Sequence, residues 1–158
     1  MKVALELAEK ARAMGEVPVG AVVVFENRII GKGFNKRESA KSPLSHAEIE
    51  AIAEAAAYLR SWRLEDCELY VTLEPCIMCS GAIVQARIPK VYFGARDPKA
   101  GGVRSLYTLL EDERLNHRVD VVEGILAEES AKLLSGFFRE IRERQKNSKK
   151  LQFLESIE

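Results

Sequence analysis

Apolar residues recur along the chain in two periods. Val3, Leu7, Ala11 and Met14, with Ala4 and Ala8 beside them, form one stripe at helical spacing, and Gly15 ends that helix. Residues 19–25 are continuously apolar, as in a buried strand. Glu26-Asn27 supplies a turn, and residues 28–33 return as a second strand, which predicts a hairpin. Residues 34–44 form a polar loop, where Lys36, Arg37 and Lys41 follow Lys32. Ser45 can cap a second, alanine-rich helix that runs to about residue 59 or 61. Residues 69–73 read as a third strand. Pro75 suits the first position of a third helix, where its missing N–H costs nothing, and that helix covers 76–86. A fourth strand follows at 90–94, then a loop at 95–102 with a short helix after it. A fifth strand is predicted at 118–122 and a long final helix at 128–149.

The hairpin makes the first two strands antiparallel. The strand–helix alternation after residue 46 points to a mainly parallel second half. Together these predict an α/β domain with three α/β/α layers and a mixed five-stranded central sheet. One domain over residues 1–150 is expected, because no linker or repeat interrupts it. Residues 151–158 form a C-terminal tail that reads equally as an extension of the last helix and as a disordered end.

Composition narrows the class. Of the 158 residues 47% are hydrophobic and 30% charged, which suits a globular domain. No apolar run approaches the ~20 residues of a membrane span, and the amphipathic start does not read as a signal peptide. Three cysteines do not suggest a disulfide framework, so a reducing cytoplasm is the expected location. Lys and Arg number 24 against 24 Asp and Glu. Any affinity for nucleic acid must therefore come from local patches.

The chemistry centres on Pro75-Cys76-Ile77-Met78-Cys79. Thiols three apart at a helix start share one face, and the helix dipole favours their charged form. That is half of a zinc site; taken alone it also reads as a redox dithiol or a pair of core thiols. Cys67 is the only other cysteine, so one chain cannot build a Cys₄ centre. Of the two histidines, His46 stands directly before the alanine-rich helix, whereas His117 reads as structural. Cys67 reads as a small buried hydrophobe. His46 with Cys76 and Cys79 gives three ligands and an open fourth position, the composition of a catalytic zinc site.

His46-Ala47-Glu48 with Pro75-Cys76-Ile77-Met78-Cys79 is the H-x-E…P-C-x-x-C signature of the zinc nucleobase deaminases. Over residues 4–144 the chain resembles the bacterial tRNA-specific adenosine deaminases, within the cytidine and deoxycytidylate deaminase superfamily. The stretches that carry this are Gly15-Glu16-Val17-Pro18-Val19-Gly20-Ala21, Gly33-Phe34-Asn35, Tyr70 to Cys76, Phe93-Gly94-Ala95-Arg96-Asp97, Asn116-His117-Arg118-Val119 and Phe137-Phe138-Arg139.

The resemblance implies a cytidine deaminase-like fold, one Zn²⁺ per chain, a homodimer, and conversion of the wobble adenosine of a tRNA anticodon to inosine. It makes Glu48 the general acid/base rather than a ligand; the competing reading is a Ser45…Glu48 capping box. It implies that Asn35 contacts the target nucleotide, against a plain turn residue. Glu16, Val17, Pro18 and Ala47 would wall the base pocket. Arg96 and Asp97 would lie along the RNA, against an exposed ion pair. Phe137, Phe138 and Arg139 would lie beside the anticodon loop, against a solvated helix face. Two other functions stay open: deamination of a free base or nucleotide such as cytosine, guanine or dCMP, and an RNA-binding module with a closed structural zinc.

Overall fold

The structure, a computed structural model, describes residues 1–155. In chain order its elements are α1 (Lys2–Ala13), β1 (Gly20–Phe25), β2 (Arg28–Phe34), α2 (Ala47–Leu59), β3 (Cys67–Leu73), α3 (Ile77–Gln85), β4 (Lys90–Ala95), a 3₁₀ turn (Leu109–Glu111), β5 (Asp120–Val122) and α4 (Ala127–Glu155). The five strands form one sheet in the order β2-β1-β3-β4-β5. β1 is antiparallel to both β2 and β3, whereas β3, β4 and β5 are parallel. The mixed five-stranded α/β sheet expected from the sequence is therefore present. Glu26 and Asn27 both adopt positive φ (48° and 61°), as a two-residue hairpin turn of the primed kind requires.

Successive strand residues face opposite sides of the sheet, and this separates the helices into two layers. Gly20 faces α1, where a Cβ would overlap the Ala4 carbonyl. The next residue, Ala21, pairs with Gly33, whose Cβ would overlap the Ala47 carbonyl of α2. A Cβ on Gly31 would meet the Ala51 carbonyl in the same way. Both helices answer with alanines four apart: Ala4 and Ala8 in α1, and Ala47, Ala51 and Ala55 in α2, all fully buried. Small residues on both sides let backbone approach backbone. α1 packs on β1 and β2 and touches α4, which lies on β4 and β3, while α2 and α3 touch each other on the opposite face. The main core fills the space beneath α2 and α3, built from Leu64, Leu69, Val71, Ile83, Val91 and Phe93.

Two helix starts differ from expectation. His46, not Ser45, is the N-cap of α2, with extended backbone (φ −84°, ψ 152°), and Ser45 belongs to the preceding turn. Cys76 is the N-cap of α3, so Pro75 lies outside the helix rather than at its first position. The chain stays extended there because Pro75 O accepts the Gly102 N–H and Cys76 bridges to Gly101. β3 starts earlier than predicted and takes in Cys67, which is fully buried. β5 is only three residues long. α4 runs past 149 to Glu155, which settles the first part of the tail as helix; residues 156–158 lie outside the described part. Among the described residues no helix is long and apolar enough to cross a membrane.

The Gly33 contact is with helix backbone, which cannot rotate away. Gly33→Ala should therefore cost about 1–3 kcal/mol of stability through overpacking, read from urea denaturation.

Candidate metal centre and base pocket

Two helix N-termini meet at one end of the sheet. α2 presents His46 from its N-cap; α3 presents Cys76 from its N-cap and Cys79 one turn on. His46 Nδ1 stands 3.6 Å from Cys76 Sγ and 3.5 Å from Cys79 Sγ, and the three atoms lie within 4.8 Å of one another. Zn–S bonds of ~2.3 Å and Zn–N bonds of ~2.0–2.1 Å at tetrahedral angles put S and N ~3.6 Å apart. The donor set thus fits a tetrahedral soft-to-borderline ion such as zinc. Among the described residues no fourth side chain joins the cluster. Cys67 lies in the core, and His117 Nε2 is engaged with the Ile88 carbonyl at 2.8 Å.

The two thiols are shifted in opposite directions. Hydrogen bonding from Cys79, then from His46, pulls the Cys76 thiol down to about 4, against the effect of burial. Cys79, which donates to Cys76 and is buried, is pushed far up. His46 is raised, first by its hydrogen bond to Cys76. Both helix N-termini direct positive dipole ends at this spot, which suits bound thiolate.

Glu48 follows one residue into α2 and is 4% exposed. Burial is the largest influence on it and raises its carboxyl to about 7; the nearby Cys76 charge adds to this, and His46 opposes it. The capping box is not formed, since His46 occupies the N-cap and no side chain caps it.

A cavity of about 200 Å³ opens beside these groups. His46, Ala47, Glu48 and Cys76 form its floor, and Val17, Val19 and Leu73 give apolar walls. Asn35 also lines it, with its amide held at both ends: Nδ2 donates to Val17 O (3.2 Å) and Oδ1 accepts the Arg37 N–H (3.1 Å). Asp97 lines the far side; its Oδ1 accepts the Lys99 and Ala100 amides.

The remaining residues singled out from sequence stand elsewhere. Glu16 is 1% exposed, and its carboxylate accepts the Glu38 and Ser39 N–H groups at 3.2 and 2.6 Å, away from the cavity. Pro18 is buried between Val17 and Val19 and is not in the lining. Arg96 makes a two-bond pair with Glu123 (2.7 and 2.8 Å). Phe137 and Phe138 meet edge to face on α4, the first buried and the second exposed, and neither they nor the exposed Arg139 reach the cavity wall.

Val19, Arg37, Leu73, Glu74 and Ala100 also line the cavity and carry no site assignment from the sequence. For Glu74 a signal existed: it is an acidic residue closing an apolar strand, directly before the Pro-Cys pair. Its side chain is 2% exposed.

A family profile described as MafB19-like deaminase matches residues 1–142. A tRNA-specific adenosine deaminase of Streptococcus pyogenes (serotype M18) is 53% identical over 148 residues, covering 94% of this chain and 93% of that protein. The chain belongs to the tRNA-specific adenosine deaminase family. A solved structure from a study of A-to-I editing by tRNA:A34 deaminases at the wobble position of transfer RNA superposes on this deaminase with a TM-score of 0.82 and 42% identity, over 85% of this chain and 97% of that one. A guanine deaminase from Nitrosomonas europaea is more distant, with a TM-score of 0.74 and 25% identity over 86% of this chain and 81% of that one.

A thiol binds a metal as thiolate, so metal binding through Cys76 and Cys79 of this deaminase should release protons, and affinity should rise with pH. Calorimetric zinc titration at pH 7 in two buffers of different ionisation enthalpy should give about one or more protons released per ion. Cys76→Ala and Cys79→Ala should each lose tight binding and the rise in melting temperature that zinc gives the parent. Full zinc occupancy in either variant would exclude that cysteine as a ligand.

Proposed function

We propose that this chain converts adenosine to inosine by hydrolytic deamination at the wobble position of a tRNA anticodon, with one zinc held by His46, Cys76 and Cys79 and with Glu48 as general acid/base. The observation that carries the chemistry is Glu48, a buried carboxyl in the wall of the same cavity as His46 and Cys76. The 53% identical tRNA-specific relative carries the substrate.

When bound, zinc supplies Lewis acidity that lowers the pKa of water in its open position from ~15.7 toward ~7. Glu48 takes one proton from the attacking water and passes it to N1 of the adenine ring. It then takes the second proton from the oxygen now bound to C6 and passes it to the 6-amino group, which leaves as ammonia while C6 keeps that oxygen as a carbonyl. A carboxyl held near neutral, about 7, suits a group that must both accept and return protons. Val17, Val19 and Leu73 offer apolar faces for the ring, and the fixed amide of Asn35 offers a donor and acceptor pair to a purine edge. A cavity of about 200 Å³ is smaller than the ~300–1,000 Å³ of drug-sized sites and suits one base withdrawn from its stack.

The RNA partner is read as an anticodon stem-loop. Asp97 and Arg96 lie on the segment beside the cavity, and Phe138 and Arg139 lie exposed on α4. A homodimer is part of the same reading. The outer side of α3 supports it, because Ile77 is 52% exposed and Gly81 has no atom within 4 Å of its Cβ direction. A two-fold contact brings the same patch of both subunits together, and an exposed apolar side chain beside an open glycine allows close approach there. The cytoplasm, where tRNA is modified, is the proposed location.

Incubation with an adenosine-containing anticodon stem-loop, free adenosine, cytidine and guanine in parallel should convert the stem-loop alone. Conversion of free guanine or cytidine instead would support a free-base deaminase. Glu48→Gln should keep zinc and fold while losing at least ~10²–10⁴-fold in turnover, because glutamine keeps the size and cannot take a proton. A variant that keeps a tenth of the parent turnover would exclude Glu48 as the proton carrier. Sedimentation at micromolar concentration should give twice the chain mass; a monomer there would count against the dimer.

A further inference from the structure

Glu74 is a buried carboxylate with five donors. Its Oε1 accepts the backbone N–H groups of Val103 (3.1 Å), Arg104 (2.6 Å) and Ser105 (2.8 Å). Its Oε2 accepts the Asp97 N–H at 2.9 Å and the Ser105 hydroxyl at 2.5 Å. A carboxylate offers about four lone-pair positions, so this one has no acceptor capacity left for a substrate. It lines the cavity without being free to act in it.

All five donors belong to one segment, residues 97–105. Pro98, Lys99 and Ala100 are exposed, and Val103 is its one fully buried apolar side chain. Packing alone gives this segment little anchorage. Gly101 and Gly102 bring it against the metal-ligand strand end. A Cβ on Gly101 would collide with the Glu74 carboxylate; a Cβ on Gly102 would lie 3.1 Å from the Cys76 carbonyl carbon. The Gly102 N–H bonds to Pro75 O at 2.8 Å, and Cys76 bridges to Gly101. The residue two places before Cys76 thus holds the segment that presents Asp97 and Ala100 to the cavity.

We propose that Glu74 is a positioning residue for the substrate base: its carboxylate locks the 97–105 segment, with Asp97 and Ala100, in register with the strand end that carries Cys76. This rests on the deaminase reading above. Charge-assisted bonds from backbone N–H groups are strong and directional, and they fix the backbone rather than a mobile side-chain tip. A cavity wall held in this way is set before the base arrives, so the anchor acts on binding geometry more than on the proton steps.

Glu74→Gln keeps the shape but points an NH₂ group at amides that are themselves donors. With the zinc-loaded protein, KM for the anticodon stem-loop should rise about tenfold or more while kcat at saturation changes by less than about threefold. Zinc content should stay at one per chain. Amide hydrogen exchange in a peptide spanning 96–106 should accelerate by about tenfold or more while β3 amides keep the parent rate. Ser105→Ala removes a single donor and should act in the same direction, with about a two- to fivefold rise in KM; it decides the matter should Glu74→Gln fail to fold. Unchanged KM and unchanged exchange at 96–106 would overturn the proposal, as would a uniform fall in melting temperature with KM intact. If the parent protein leaves the stem-loop unconverted, the deaminase reading fails by itself, and the exchange comparison still reports on the anchor.

Discussion

Two sulfurs and one imidazole nitrogen must meet within a few ångström, although they come from residues 30 positions apart in the chain. The separations of 3.5 and 3.6 Å from His46 Nδ1 require that the starts of α2 and α3 coincide in space. Much of the fold serves that requirement. β1 lies antiparallel between β2 and β3, so the start of β1 and the ends of β2 and β3 share one end of the sheet. The Gly20 N–H bonding to Thr72 Oγ1 at 3.1 Å marks that alignment. Asn35 follows β2 there, Val17 and Val19 precede β1, and Leu73 ends β3. α3 begins four residues after β3 ends, so its position follows from the strand. α2 has no such tether, and its placement is set by the glycine–alanine contacts with β2. A methyl group added at Gly33 pushes on the Ala47 carbonyl, one residue from His46 and from Glu48.

Three glutamates are almost wholly buried, and their surroundings sort them by role. Glu16 and Glu74 each face several backbone N–H groups, which hold both carboxyls below the ordinary range although burial pulls the other way. They are fixed anions, and each ties down a loop: residues 38–39, away from the cavity, in one case, and residues 97–105, which reach its wall, in the other. Glu48 has no such set of amide donors. Burial therefore dominates, and its carboxyl rises to about 7. A buried carboxyl that stays ionised serves architecture; one poised near neutrality can exchange protons. Heavier desolvation at Glu48 and the hydrogen-bond donors around Glu16 and Glu74 together make the difference.

The pattern of hydrophobic residues was enough to read every helix and strand, because each buries a face of its own period. The cluster of His46, Cys76 and Cys79 and the buried carboxyl of Glu48, the proposed ligands and proton carrier, could be singled out in the sequence too, since metal and proton chemistry restrict residue types and spacing. The helix caps were misread at Ser45 and Pro75 for a tertiary reason. Bonds from Gly102 and Gly101, 25 and more residues downstream, keep Pro75 and Cys76 extended. The role of Glu74 was hidden for the same cause: its partners are backbone amides, and backbone amides have no letter in a sequence. Arg37 could be seen as one basic residue among several, but its place in the cavity wall depends on how Glu16 and Asn35 hold the loop around it.

The neutral balance of charge hides a division by depth. On the surface Arg63–Glu65, Arg96–Glu123 and Arg114–Asp112 pair at about 2.7 Å, each with at least one partner well solvated. Pairs of this kind contribute roughly 0–1 kcal/mol, because water screens them and long side chains lose freedom in making them. They can be opened at little cost, and an arginine such as Arg96 can trade a carboxylate for a phosphate without disturbing the fold. The carboxylates of Glu16 and Glu74 are of the opposite kind, since removing their partners leaves a buried charge uncompensated. Exchangeable charge therefore lies on the surface, and fixed charge lies beneath it. An overall balance of zero is compatible with both, because a nucleic-acid surface depends on which cations can change partner and not on the sum.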